Sequence, residues 1–340
     1  MALTTYRKAP GTRLAIRPFS YHRAASAAEA VALLDSADAA PLGGGTDLLV
    51  CIEERIAAPA TVVDLRGIVD SDEISETQSG GLRIGASARI DEIASHAQVR
   101  ARFSSLSEAC DAVGSQALRN MGTIGGNLCQ RPRCWYFRRG IPCLKNGGSG
   151  CPARDGENQY HSILDAGPCY IVHPSDPAVA LTALDAEVEI TGPAGVSTIP
   201  IAAFYVLPRD RMDHETVLRR GEIVSAVILP AHAAGGQHFY RKLMQREAWD
   251  FALVSIAATR RVDGAVRLAL GGVAPRPWRI SESVEEDVAV GELDDDSISA
   301  LVERALYDAE PLAKNGYKVT LAASLLRDAI TALTSGTKTD

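Results

Sequence analysis

Between residues 129 and 170 the chain abandons any regular apolar period. Gly, Pro, Arg and Cys dominate this stretch, and it holds five of the chain's seven cysteines. An unstructured run of that length inside a compact domain is uncommon and is normally either functional or disordered. It follows directly on GTIGGNL (122–128), a glycine-rich turn of quite different character. Whatever fold the chain adopts has to accommodate this insert beside that turn.

On either side of the insert the pattern is α+β. Residues 24–38 read as a helix with Ser26 as N-cap. PLGGGTDLLV (41–50) is a tight turn running into a second helix, with Thr46 in position to cap it. TVVDL (61–65) and GLRIGAS (81–87) read as strands, and 88–103 and 104–115 as helices. After the insert, 176–192 reads as a helix and then a strand, and 222–230 as a strand stopped by proline. AHAAGGQ (231–237) has the composition of a linker. Beyond it, 251–273 reads as a hairpin turning at Asp263-Gly264, and helices are expected near 296–310 and 318–334.

The hydrophobic fraction of 46% and charged fraction of 23% allow an ordinary globular core, so cysteines are not required as staples. A net charge of −7 disfavours nucleic acid and anionic membranes as partners. No apolar run approaches the roughly 18 residues of a membrane helix, so no membrane insertion is expected. MALTTYRKAPGTRL lacks the apolar segment of an export signal. A cytoplasmic protein is expected, or a periplasmic one if a signal-bearing partner carries it across.

The two glycine turns lie some 80 residues apart. Glycine lets backbone N–H groups approach an anion with no Cβ in the way. Neither turn matches the dinucleotide fingerprint G-x-G-x-x-G or a P-loop. The cysteines divide into two groups. Cys51 and Cys110, alone in apolar surroundings, read as core thiols. Cys129, Cys134, Cys143, Cys151 and Cys169 need a joint account. An odd number and no export signal disfavour disulfides. Gaps of four, eight, seven and seventeen residues contain no C-x₂₋₄-C knuckle, which disfavours zinc. Long gaps are compatible with a loop wrapped around a cluster of four irons, each held by one thiolate. Arg131, Arg133, Arg138 and Arg139 are available to favour the thiolates, and Trp135, Tyr136 and Phe137 to exclude water.

PLGGGTDLL, GTIGGN, HPSDPAVALTALDAEV (173–188) and YRKLMQREAWDFALVSIA (240–257) occur in that order. Together they resemble the FAD-binding subunit of the xanthine dehydrogenase and aldehyde oxidoreductase family of molybdenum hydroxylases, over nearly the whole chain. The resemblance implies an α+β fold with a two-subdomain FAD-binding domain similar to vanillyl-alcohol oxidase flavoproteins (1–60 and 61–230, with an insert at 129–170). A linker at 231–237 and a smaller α+β C-terminal domain at 238–340 would follow. It implies FAD held by Leu42, Gly43, Gly44, Gly45, Thr46, Asp47 and Leu48 in a first pyrophosphate loop. Thr123, Gly125, Gly126 and Asn127 would form a second. Gly114, Asp176, Ile223 against the flavin and Lys242 near its ring would add further contacts. The chemistry agrees, because a cation near the ring favours reduced, anionic flavin.

Relatives of the aldehyde oxidoreductase type carry an insert at this point that binds a [4Fe-4S] cluster. RCWYF, IPC, SGC and GPC match its ligand positions, which implies Cys134, Cys143, Cys151 and Cys169 as ligands and leaves Cys129 outside the set, although spacing alone also allows Cys129 in place of Cys134. His161 and His173 are expected to be structural. The family further implies a heterotrimer. A large subunit would carry the molybdenum cofactor, a small subunit two [2Fe-2S] clusters, and the FAD subunit would pass electrons to an external acceptor. A zinc-stabilised scaffold without flavin and a free-standing flavin oxidase are the competing readings.

Overall fold

The computed structural model describes residues 16–335 apart from 247, 291 and 292. The chain builds three sheets in succession. The first is a small parallel sheet of β1 (Ser20–Arg23), β2 (Ala39–Leu42) and β3 (Thr61–Asp64), with β3 in the middle. Two helices serve it: α1 (Ala27–Leu34) and α2 (Leu48–Glu53). Ser26 caps α1, its Oγ accepting from the Glu29 N–H while Glu29 accepts from the Ala25 N–H. Because β3 pairs with both β1 and β2, the division expected after residue 60 would cut this sheet, and the first unit extends at least through Asp64.

The second sheet is antiparallel, in the order β4 (Ile74–Glu76), β5 (Leu82–Gly85), β8 (Ile223–Leu229), β6 (Glu187–Gly192) and β7 (Gly195–Pro200). The helices α3 (Ile90–Ser95), α4 (Ala97–Arg102) and α5 (Ser104–Asp111) bury Ile90, Ile93, Val99 and Leu106 in its core. The single helix expected over 88–103 is therefore two. His96 is extended (φ −65°, ψ 126°), and the Ser95 hydroxyl donates back to Asp91 O, closing the first helix on itself. Two short helices, α6 (Gln116–Arg119) and α7 (Ile124–Leu128), carry the chain through the second glycine turn.

The insert contains one helical turn, α8 (Trp135–Arg138), and a 3₁₀ turn at Leu144–Asn146. Side chains replace the missing ladders: Asn146 donates to the Phe137 and Ile141 carbonyls, and Asn158 to that of Ala153. The insert ends inside another core. Ile163 and Leu164 are buried among C-terminal residues, and their N–H groups both donate to Val273 O. Each such burial stabilises by about 1.5–3 kcal/mol.

The helix α9 (Asp176–Ala183) is buried on every side. Apart from Asp176 and Thr182, which are buried and hydrogen-bonded, its sequence is apolar, so it has no solvent face to offer. It packs between α5 and the third sheet, which is antiparallel: β9 (Gln237–Leu243), β10 (Val254–Arg260), β11 (Val266–Gly271) and β12 (Trp278–Arg279). The expected hairpin is β10–β11, with Gly264 at φ +88° and Asp263 accepting from the Ala265 N–H. The helices α10 (Glu282–Val290), α11 (Asp295–Ala305) and α12 (Tyr317–Ser335) complete the unit. Of these, α10 has no counterpart in the sequence reading. Among the described residues no helix is long and apolar enough to cross a membrane.

Candidate functional site

The two glycine turns are brought face to face. A Cβ at Gly44 would lie 1.7 Å from Met121 O, and one at Gly43 would lie 2.5 Å from Thr123 Oγ1. Only glycine permits this approach of backbone to backbone. Gly45 (φ +77°) and Gly114 (φ +49°) adopt left-handed conformations that side chains resist. The capping threonine is Thr123, whose Oγ1 accepts from the Gly126 N–H. Thr46 does not cap: Asp47 holds the N-cap position of α2 and makes no capping bond.

Asp47 is committed elsewhere. Its carboxylate accepts from the Arg131 N–H and pairs with the guanidinium groups of Arg133 and Arg138. Burial pushes its pKa up, but the two arginines outweigh this and hold it below the usual range. Arg131 pairs with Glu215, and Arg138 also donates to Cys51 Sγ. The insert's arginines therefore bolt it to the first glycine loop. The expectation that they serve the clustered thiols fails for these three, since each faces a carboxylate, and Arg139 is exposed. The cation beside the cysteines is Lys145, which pairs with buried Glu215.

Asn127, at the end of the second loop, accepts from Ser175 Oγ at 2.5 Å. The next residue, Asp176, opens α9. Its carboxylate accepts from Lys242 Nζ at 2.8 Å and Tyr240 OH at 3.0 Å, while Lys242 also donates to Ala112 O. Burial raises the Asp176 pKa against both partners. Tyr240 escaped the sequence reading, yet it lies two residues from Lys242 on β9, so both point to one face. Asp176 lines a cavity of about 530 Å³ between the insert and the third sheet, bordered also by Arg133, Trp135, His173 and Phe251. Ile223 lies elsewhere, packed with Ala24, Ala30, Leu34 and Val63.

Cys134, Cys143, Cys151 and Cys169 line a second, smaller cavity, together with Tyr136, Phe137 and Lys145. Backbone N–H groups aim at three of the sulfurs: those of Tyr136 and Phe137 at Cys134, of Ala153, Arg154 and Tyr170 at Cys151, and of Ile171 at Cys169. Cys169 donates to Cys151, which draws the Cys151 pKa down, and the same bond followed by burial raises that of Cys169. Burial pushes Cys134 up to about 11. Cys129 is outside this cavity, packs against the main core and is pushed up to about 12 by burial alone. Among the described residues no three of His, Cys, Asp and Glu are placed to hold a single metal ion.

His173, at the border of the larger cavity, packs on the Tyr205 ring and is buried, which lowers its pKa to about 3. Between about pH 6.5 and 3 the unfolded chain binds a proton that the folded chain refuses. Stability is therefore complete above 6.5 and falls as the pH drops, by up to about 1.4 kcal/mol per pH unit from this group. Urea midpoints measured across that range should fall less steeply in a His173→Gln variant than in the wild type. Equal slopes would remove His173 as a source.

The structure thus holds two glycine loops in backbone contact and, apart from them, a large cavity bordered by the acid of a buried acid–lysine pair. Residues 17–232 match the family described as the FAD-binding domain in molybdopterin dehydrogenase, and 237–333 the C-terminal domain of CO dehydrogenase flavoprotein. The chain belongs to this family of FAD-binding subunits of the xanthine dehydrogenase and aldehyde oxidoreductase type, an oxidoreductase flavoprotein of α+β fold. It is 40% identical over 323 residues to the aldehyde oxidoreductase FAD-binding subunit of Escherichia coli, covering 92% of this chain and 99% of that one. It is 27% identical to the carbon monoxide dehydrogenase medium chain of Hydrogenophaga pseudoflava, covering 92% and 96%. The solved carbon monoxide dehydrogenase of that organism superimposes with a TM-score of 0.72 at 26% identity, covering 95% of this chain and 99% of that chain.

Proposed function

We propose that the chain is the FAD and [4Fe-4S] subunit of a heterotrimeric molybdenum-containing aldehyde oxidoreductase. A large partner would hold the molybdenum cofactor and the organic substrate, and a small partner two [2Fe-2S] clusters. FAD, when bound, would take electrons from the small partner and deliver them to an external acceptor. The 40% identity to an aldehyde oxidoreductase subunit, against 27% to a carbon monoxide dehydrogenase chain, supports the aldehyde class.

This chain's part is to bind and orient. Backbone N–H groups of 43–46 and of Thr123 would hold the pyrophosphate, since those of 124–127 already donate within the protein, and the cavity at Asp176 would take the flavin, with Lys242 held behind that carboxylate. Gly114 shapes the segment whose Ala112 carbonyl accepts from Lys242. Ile223 then contributes through packing of the first subdomain rather than by lining the cavity.

The observation that carries the cluster reading is the gathering of four cysteines from 134 to 169 around one cavity that excludes Cys129. Four cysteines border this cavity while, among the described residues, no three ligands are placed on one ion, which favours a four-iron cube with one thiolate per iron over a single zinc ion. N–H groups directed at sulfur stabilise thiolates in such a site. Cys→Ser variants at 134, 143, 151 and 169 should each lose iron and the broad visible absorption beneath the flavin bands, while Cys129→Ser keeps both. Iron loss at 129 with retention at 134 would overturn the ligand assignment, and colourless wild-type protein containing zinc would overturn the cluster.

A further inference from the structure

The two cavities share a wall, and that wall is made by Cys134, His161 and Ile171. His161 is buried, and its Nε2 lies 3.3 Å from Cys134 Sγ. Its Nδ1 makes no hydrogen bond, the nearby Asn158 carbonyl accepting from the His161 backbone N–H. The partner of one ring nitrogen decides where the proton of a neutral imidazole sits. With Cys134 as a thiolate, the only well-formed bond open to this ring is Nε2–H donated to sulfur. Trp135 and Tyr136 close the space around the ring, with centroids 5.8 and 6.1 Å away.

The backbone of His161 is held just as firmly. Its carbonyl accepts from Lys318 Nζ and from Asn315 Nδ2, both at 3.1 Å. Lys318 has 0% exposure and divides its three N–H donors among the carbonyls of Tyr160, His161 and Gly272. Gly272 borders the larger cavity. Lys318 at the base of α12 and Asn315 just before it therefore fix the backbone that carries the ring from outside the insert.

We propose that His161 is a positioning residue for the cluster: its N–H···S bond to Cys134 raises the cluster's reduction potential, and Lys318 and Asn315 hold it in place to do so. This rests on the cluster reading above. The physical reason is that a hydrogen bond to a ligand sulfur stabilises the added electron, so hydrogen bonds to sulfur are one of the terms that set an iron–sulfur potential. Its place in the shared wall would put this adjustment on the side of the cluster that faces the flavin cavity.

The test compares wild type, His161→Leu and His161→Gln in the purified complex, by iron content and EPR-monitored redox titration. His161→Leu should keep its iron and titrate at a more negative potential. His161→Gln, which retains an N–H donor, should recover much of the shift. Iron loss in the Leu variant alone would also support the donor role, through assembly of the site. An unchanged potential in iron-replete His161→Leu, or the same change in both variants, overturns the proposal. A wild-type complex without iron in this chain overturns the cluster reading itself, and the proposal with it.

Discussion

Replacing Asp176 by Ala while Lys242 stays in place is expected to lower the unfolding free energy by about 3–5 kcal/mol, because it leaves a buried ammonium without its counter-charge. The side chains of the pair are only 6% and 3% exposed, so the ammonium is left away from bulk water. Tyr240 OH loses its acceptor in the same step. FAD occupancy should fall with stability, since Asp176 borders the large cavity and the lysine behind it anchors the Ala112 carbonyl. Removing both charges in Asp176→Asn with Lys242→Met should recover much of the stability but not the flavin. Urea unfolding and flavin absorbance read the two effects separately. A loss under about 1 kcal/mol with full FAD content would show that the pair does not brace the site.

The second large effect is expected at Gly44. Its missing Cβ makes room for a carbonyl, that of Met121, and backbone cannot move aside as a flexible side chain can. Gly44→Ala therefore has to separate the two glycine loops. Overpacking of this kind costs about 1–3 kcal/mol or more, but the larger consequence is for the ligand. N–H groups from two loops can converge on one pyrophosphate only while the loops touch. Flavin content in the purified variant should drop to near zero. Gly316→Ala is the control, because a Cβ there meets nothing within 4 Å. Normal flavin content in Gly44→Ala would dissociate the loop contact from FAD binding.

Much of this was legible in the sequence because it is written in local patterns. Ser26 capping α1, the β10–β11 hairpin turning at Asp263-Gly264, and the helix followed by a strand over 176–192 all depend on residues a few positions apart. The glycine turns were visible because few residues other than glycine tolerate positive φ or a carbonyl at Cβ distance. What local pattern missed was breaks and partners. The split at His96 depends on where α4 must bury Val99, and the central place of β3 on pairing with strands on both sides.

For the site, the sequence by itself determined the ingredients: two glycine turns, an acid at the start of a helix, a lysine in the YRKLMQREAWD motif, and five cysteines in a stretch with no apolar period. Only the tertiary structure decided how they are used. It turned the insert's arginines toward Asp47 and Glu215, joined Asp176 to Lys242, moved Ile223 into a separate core, and set Cys129 apart from the four cysteines around the small cavity. The physical reason is range. Conformational preference acts within a few residues, whereas the partner of a buried charge or thiol is chosen by which distant segment is packed against it. That choice is made only when the chain closes.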